Sequence, residues 1–162
     1  MTERVPGIAA AVLLAVALAG CGSGAPGPAG SQAQSHAQQE ASVQVGDVLV
    51  RANAVPAASL GEAVARQYGI ERDDGAVMFL VGVRRAGSGG ETALSARVTA
   101  VASDLLGKRQ QLEMREVRSG EFIDYVGSAR VITPDTLHFD VQVVAEGGTA
   151  MELRFNRDFF PR

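Results

Sequence analysis

Cysteine is almost missing from this chain. Cys21 is the only one in 162 residues, which excludes an intramolecular disulfide, a Cys₂His₂ zinc site and a Cys-x-x-Cys redox pair. Histidine is nearly as scarce, and His36 and His138 are too few for a histidine-based metal or haem centre within one chain. No metal and no cofactor is expected. Positive charge is not in excess either: Lys and Arg total 15 against 18 Asp and Glu, a net charge of −3. Sequence-independent nucleic-acid binding needs a basic footprint, so no nucleic-acid partner is expected. The apolar run Ile8 to Ala19 has 12 residues, short of the roughly 20 that a membrane-spanning helix requires.

That run has instead the length of a signal-peptide core, preceded by Arg4 and the N-terminus, with Glu3 making the leading charge less positive than usual. Leu18-Ala19-Gly20-Cys21 follows at once. It resembles the lipobox cut by the lipoprotein signal peptidase. Small residues let the extended backbone enter the peptidase, and a thiol is the side chain that can carry thioether-linked diacylglycerol. Residues 1–20 therefore read as a lipoprotein signal peptide and Cys21 as the lipidated first residue of the mature chain. The alternative is an ordinary secretory signal with a chance cysteine. Two or more acyl chains hold a protein stably on a bilayer, where one does so only marginally. Gly22 follows Cys21, with no Asp at that sorting position, which resembles the lipoproteins sent to the periplasmic face of the outer membrane. Retention on the inner membrane, or a soluble periplasmic form, is the alternative.

Residues 21–41 read as a lipidated cysteine and a disordered tether. The stretch Gly22 to Ala41 holds four glycines, two prolines, four glutamines and one charged residue, Glu40. Such a composition cannot repay the entropy of ordering, and 20 residues of it span about 25 Å as a random coil. His36 lies in this stretch and reads as solvated. All eight aromatic residues lie at Tyr68 or later, so the folded domain is placed at 42–162, long enough to bury a core without disulfides.

Period two dominates that domain. Leu137 to Val143 alternates apolar and polar without a fault, and Met151 to Phe155 alternates again after the hairpin turn Glu146-Gly147-Gly148. Ala76 to Val83 is apolar on both faces and reads as a central strand. Further strands are expected near Val45 to Asn53, Ala93 to Ala102, Gln110 to Arg118 and Glu121 to Val131. The expected fold is mainly β, an antiparallel immunoglobulin-like sandwich of about seven strands with one short helix. For the helix, Ser59 and Glu62 fit a capping box. Leu60, Ala63, Val64, Gln67 and Tyr68 share its apolar face, and Gly69 ends it. That face is expected to close one end of the sandwich. Phe79, Phe139, Leu153 and Phe155 are the expected core residues.

Four segments carry a resemblance to a known family: Ala65-Arg66-Gln67-Tyr68-Gly69-Ile70-Glu71-Arg72, Leu106-Gly107-Lys108, Thr136-Leu137-His138-Phe139, and Leu153-Arg154-Phe155-Asn156-Arg157-Asp158-Phe159-Phe160. In this order and spacing they resemble domain of unknown function 4426, a family of small proteobacterial envelope proteins. The resemblance runs from about Gly46 to the C-terminus. Ala52 and Phe160 stand where members of that family often carry tyrosines. It implies a secreted β-rich domain and supplies no activity, substrate or catalytic residue.

No catalytic constellation is legible. His138 faces away from Leu137, Phe139 and Val141, and a general base needs a partner within hydrogen-bond reach. Ser88 sits among glycines in a hairpin turn, with no Gly-x-Ser-x-Gly elbow. Gly107-Lys108 lacks a glycine five residues earlier, where Ala102 stands, so it is no phosphate loop. The carboxylates Asp73 with Asp74, Glu113 with Glu116, and Glu121 with Asp124 would need to face one another across a cleft to act in hydrolysis. Arg84-Arg85 is the only pair of adjacent residues among the 14 arginines, and Lys108, the one lysine, precedes Arg109. The expected function is a non-catalytic envelope lipoprotein whose sandwich binds another envelope protein or a cell-wall component. The alternative is a small-ligand-binding or hydrolytic domain using surface carboxylates or His138. Oligomeric state and ligand-binding residues are not read from the sequence.

Intact-mass measurement tests the address. Wild-type protein should begin at Cys21 and carry acyl chains, and Cys21→Ser should lack them. A mature wild-type chain beginning at another residue contradicts the anchor.

Overall fold

A computed structural model describes residues 40–161. Leu18, Ala19, Gly20, Cys21 and His36 lie outside the described residues. The first strand opens at Glu40, within the last two residues assigned to the tether.

Among the described residues ten antiparallel strands form two facing sheets. The strands are β1 (Glu40–Val45), β2 (Val48–Pro56), β3 (Ala76–Gly87), β4 (Gly90–Ala93), β5 (Ala96–Ser103), β6 (Arg109–Leu112), β7 (Arg115–Ser119), β8 (Phe122–Arg130), β9 (Asp135–Ala145) and β10 (Ala150–Phe159). The first sheet has the order β1-β2-β3-β8-β7, with β4 continuing the line of β8 along β3. The second has the order β10-β9-β5-β6. The two sheets approach at both sides, β1 beside β10 and β6 beside β8, so the β1, β10 and β6 edges are covered rather than left open to pairing.

The sandwich is the expected class, and three local features raise the strand count from seven to ten. Val45 to Asn53 straddles the turn at Gly46–Asp47, so an additional edge strand precedes it. A short β4 closes the hairpin after Ser88–Gly89. Gln110 to Arg118 breaks at Glu113–Met114, where the chain passes from one sheet to the other. No glycine or proline marks that crossing, because no reversal is needed. The crossing lies tight over β8: a Cβ at Gly127 would stand 2.7 Å from Met114 Sδ and 3.3 Å from Leu112 Cβ.

Alternation dictates the core. Val77, Phe79, Val81 and Val83 of β3 point inward, as do Leu137, Phe139, Val141 and Val143 of β9. The Phe79 and Phe139 rings stack across the sheet interface with centroids 4.8 Å apart and planes 5° from parallel. Phe155, directly opposite Phe139 in the β9–β10 register, stacks on it at 5.1 Å and is half-buried. Leu153 is buried beside it.

The helix differs from expectation in start, face and place. Helix α1 spans Glu62–Gln67 after a 3₁₀ turn at Ala57–Ser59, and its N-cap is Gly61 with no side-chain cap. Ser59 does not cap it; its hydroxyl donates to the Pro56 carbonyl at 2.6 Å. The chain is still turning away from β2 at that point, so the hydroxyl finds the nearer carbonyl. Gly69 ends the helix as expected, with φ 54°. The Gly69 amide donates to Arg66 O and the Ile70 amide to Ala65 O, a Schellman closure. Ala65 is the buried helical residue while Val64 stays exposed, so the apolar face is rotated from Ala63, Val64 and Gln67 toward Ala65 and Tyr68. This face does not close an end of the sandwich. It covers the outer face of the first sheet, packing with Leu60 and Ile70 on Met78, Leu80, Val126, Val55 and Val117, since those outward apolar positions would otherwise meet water.

Phe139→Ala empties the middle of the stacked triple and should lower stability by about 3–5 kcal/mol, read as a shift of the denaturant midpoint at unchanged slope. Phe160→Ala, at an exposed ring, should leave the midpoint within about 0.5 kcal/mol of wild type.

Candidate functional site

On the outer face of the first sheet, strand register sets Arg51 of β2 opposite Gly82 of β3, and Gly82 opposite Asp124 of β8. A residue without a side chain between two long polar ones leaves a recess. The adjoining row, Asn53 opposite Leu80, closes one end. The resulting cleft has a volume of about 190 Å³ and is walled by Arg51, Asn53, Leu80, Arg84 and Asp124, with Glu40 at its rim.

Its charges are paired. Arg84 donates to Asp124 Oδ1 at 2.8 Å and to the carbonyls of Ile123 at 2.7 Å and Val83 at 3.0 Å. The two side chains are only 14% and 13% exposed. The other carboxylate oxygen of Asp124 accepts the Tyr68 hydroxyl at 2.9 Å, so α1 reaches down to complete the network. The Arg84 guanidinium also stands 5.8 Å from the centroid of the Phe122 ring, within cation–π range. Across the cleft, Arg51 passes over β3 to meet Glu91 of β4 in a two-point contact at 2.6 and 2.7 Å, with Glu40 at 3.3 Å on its Nε. The Arg51 hydrogen bonds hold the Glu91 carboxyl below its ordinary range.

Two buried side-chain polar atoms among the described residues lack a partner, Arg157 Nε on β10 and one on a residue lining the cleft. Asn53 Oδ1 is buried with no hydrogen-bond partner. Buried polar atoms are almost always partnered, and the Asn53 side chain borders the cleft.

The other residues raised by the sequence do not gather here. His138 lies on the outer face of the second sheet, its Nδ1 2.6 Å from Asn156 Oδ1 on the neighbouring strand. Sheets stack about 10 Å apart, so His138 and Asp124 are on opposite sides of the sandwich. Asp73 is held by Arg130 at 2.7 Å and by the Gly75 amide at 2.6 Å; those bonds, Arg130 first, lower its pKa. Glu116 is tied to Arg118 at 2.6 Å and to the Tyr125 hydroxyl at 3.1 Å. Arg85 pairs with Asp47 at 3.2 Å. Asp124 is the one carboxylate of those six that enters the cleft. Among the described residues no group of three or more His, Asp or Glu is placed to hold a metal ion. The sequence offers no signal for Arg51, Asn53 or Gly82, which come together only through strand register.

The cleft thus offers a buried acceptor, an apolar wall at Leu80 and guanidinium edges whose charge is already balanced. It suits a small polar group with N–H or O–H donors, such as a sugar ring or an amide.

Alkaline titration tests the network. Burial, and then the bond to Asp124, push the Tyr68 pKa from 10.0 up to about 12. A folded-state pKa raised above the unfolded value gives a contribution that is complete below pH 10 and lost as pH rises toward about 12. Stability should fall across that window. Tyr68→Phe should reduce the fall, leaving the part due to Tyr125, whose pKa burial also raises.

A family model described as domain of unknown function DUF4426 matches residues 42–162. The crystal structure of a DUF4426 family protein from Pseudomonas aeruginosa PAO1 is similar, with a TM-score of 0.65 and 30% identity, covering 77% of this chain and 98% of that one. No curated protein matches.

Proposed function

The chain belongs to the DUF4426 family, and we propose that it is a non-catalytic envelope lipoprotein whose sandwich binds a cell-wall component, or a protein presenting the same chemistry, in the cleft over Gly82. The observation that carries the reading is Asn53 Oδ1, an unpartnered acceptor beside side chains whose charges are already satisfied. A general acid or base must stand within hydrogen-bond reach of the substrate proton it moves. Both Asp124 oxygens are occupied, whereas a lone acceptor with nothing to transfer serves recognition. The lipobox at Leu18 to Cys21 and the absence of Asp after it support an anchor on the periplasmic face of the outer membrane.

Asn53→Leu separates recognition from structure. Replacing a buried unpaired polar atom by an apolar group of similar shape is nearly neutral or stabilising, so the unfolding midpoint should hold or rise. Capture of the lipidated protein by purified peptidoglycan, or by its cross-linked envelope partner, should fall about three- to tenfold, the worth of one neutral hydrogen bond. A lowered midpoint with undiminished capture would make the amide structural and remove the cleft from the function.

A further inference from the structure

We propose that the end of the sandwich bearing Leu105, Leu106, Ile132 and Phe160 rests on the lipid bilayer to which the chain is tethered. The proposal rests on the lipid anchor at Cys21 put forward above.

The two ends of the sandwich differ in kind. One end is built from polar glycine turns at Gly46–Asp47, Ser88–Gly89, Gly120–Glu121 and Glu146–Gly148, where Val45 and Phe122 are exposed singly beside different turns. The other gathers the β5–β6 loop, the β8–β9 loop and the C-terminal residues, because β5, β8 and β10 all run toward it. It exposes Leu106 at 95%, Ile132 at 88%, Phe160 at 72% and Leu105 at 64%. Isolated apolar side chains on a surface need no explanation, but large ones grouped at one end mark a contact surface.

The β5–β6 loop is built to hold this exposure. Asp104 Oδ1 accepts the amides of Leu106 at 3.0 Å and Lys108 at 2.8 Å. The Gly107 amide closes onto Asp104 O at 3.0 Å, with Gly107 at φ 83°. With its own polar groups spent inside the turn, the loop presents Leu105 and Leu106 outward on a fixed backbone. A groove of about 560 Å³ runs from them to Ile132 and Pro134, with Asp104, Lys108, Arg130 and Asp135 along its sides. Lys108 and Arg109 follow directly and take part in no ion pair among the described residues. Cations beside inserted apolar side chains are placed to meet lipid phosphates.

The tether selects lipid as the occupant. β1 begins at Glu40, opposite Asn53 and near the Pro56 end of β2, so the chain from Cys21 enters the domain at the apolar end. The composition of that stretch gives an expected reach of about 25 Å, while 11 residues of β9 put the polar end roughly 35 Å farther off. Tethering also makes contact with the bilayer intramolecular, at an effective concentration in roughly the millimolar range, so a few inserted side chains suffice.

The chain has no tryptophan, so one introduced indole reports alone. Full-length acylated protein carrying Leu106→Trp is reconstituted in vesicles of phosphatidylethanolamine and phosphatidylglycerol, with or without brominated acyl chains; Ser88→Trp, in an exposed polar turn, is the comparison. The Leu106→Trp emission should shift to the blue and be quenched by bromolipid several times more strongly than that of Ser88→Trp. Equal quenching in protein that floats with the vesicles and carries its acyl mass overturns the docking and leaves the anchor standing. A blue shift that grows with protein density and ignores bromolipid assigns the surface to a second copy, and also overturns it. Absence of acyl mass removes the anchor and the docking with it.

Discussion

The stacking of Phe79 on Phe139, 4.8 Å apart and almost parallel, ties together the middle strands of two sheets that share no hydrogen-bonded ladder. It joins β3, the centre of one sheet, to β9, an inner strand of the other. Because side chains alternate along a strand, holding Phe79 inward also holds Leu80, Gly82 and Arg84 outward. A slip of one residue in β3 would bury Arg84 and expose Phe79. The recess on the outer face is therefore set by an aromatic contact on the inner one.

The two charged groups flanking that recess are of different kinds. Arg84 and Asp124 are largely withdrawn from water, and further hydrogen bonds join them to Ile123 O, Val83 O and Tyr68. Removing either partner would strand the other charge, although the intact pair adds little net stability. Arg51, Glu91 and Glu40 lie in the open, where salt screens them and their worth is small. The first pair fixes the shape of the cleft, and the second can yield to a ligand.

The period-two segments were legible because burial on one face is written directly into residue type: Leu137 to Val143, Met151 to Phe155 and the core phenylalanines lie where alternation puts them. The end of α1 was legible at Gly69, where a positive φ calls for glycine. Its start was not, since Ser59 had a nearer carbonyl to satisfy. β1 alternates from Glu40 to Val45, but it is short, it follows directly on the glutamine-rich stretch, and it is parted from β2 only by the two-residue turn Gly46–Asp47, so its pattern merges with its neighbours. The crossing at Glu113–Met114 needs no turn residue. The cleft was the least legible feature, being a property of which residues stand opposite one another across β2, β3 and β8.

The register of β1 has a mechanical consequence. It runs antiparallel to β2 through the full pairing from Glu40 with Asn53 to Val45 with Val48, and the preceding chain joins it at Glu40. Tension arriving through that chain, directed out from the Glu40 end, pulls along the strand axis. The ladder is then loaded in shear, all six residue pairs sharing the force, rather than peeled one bond at a time. An edge strand that is thermodynamically modest can in this geometry serve as a strong point of attachment for the domain behind it.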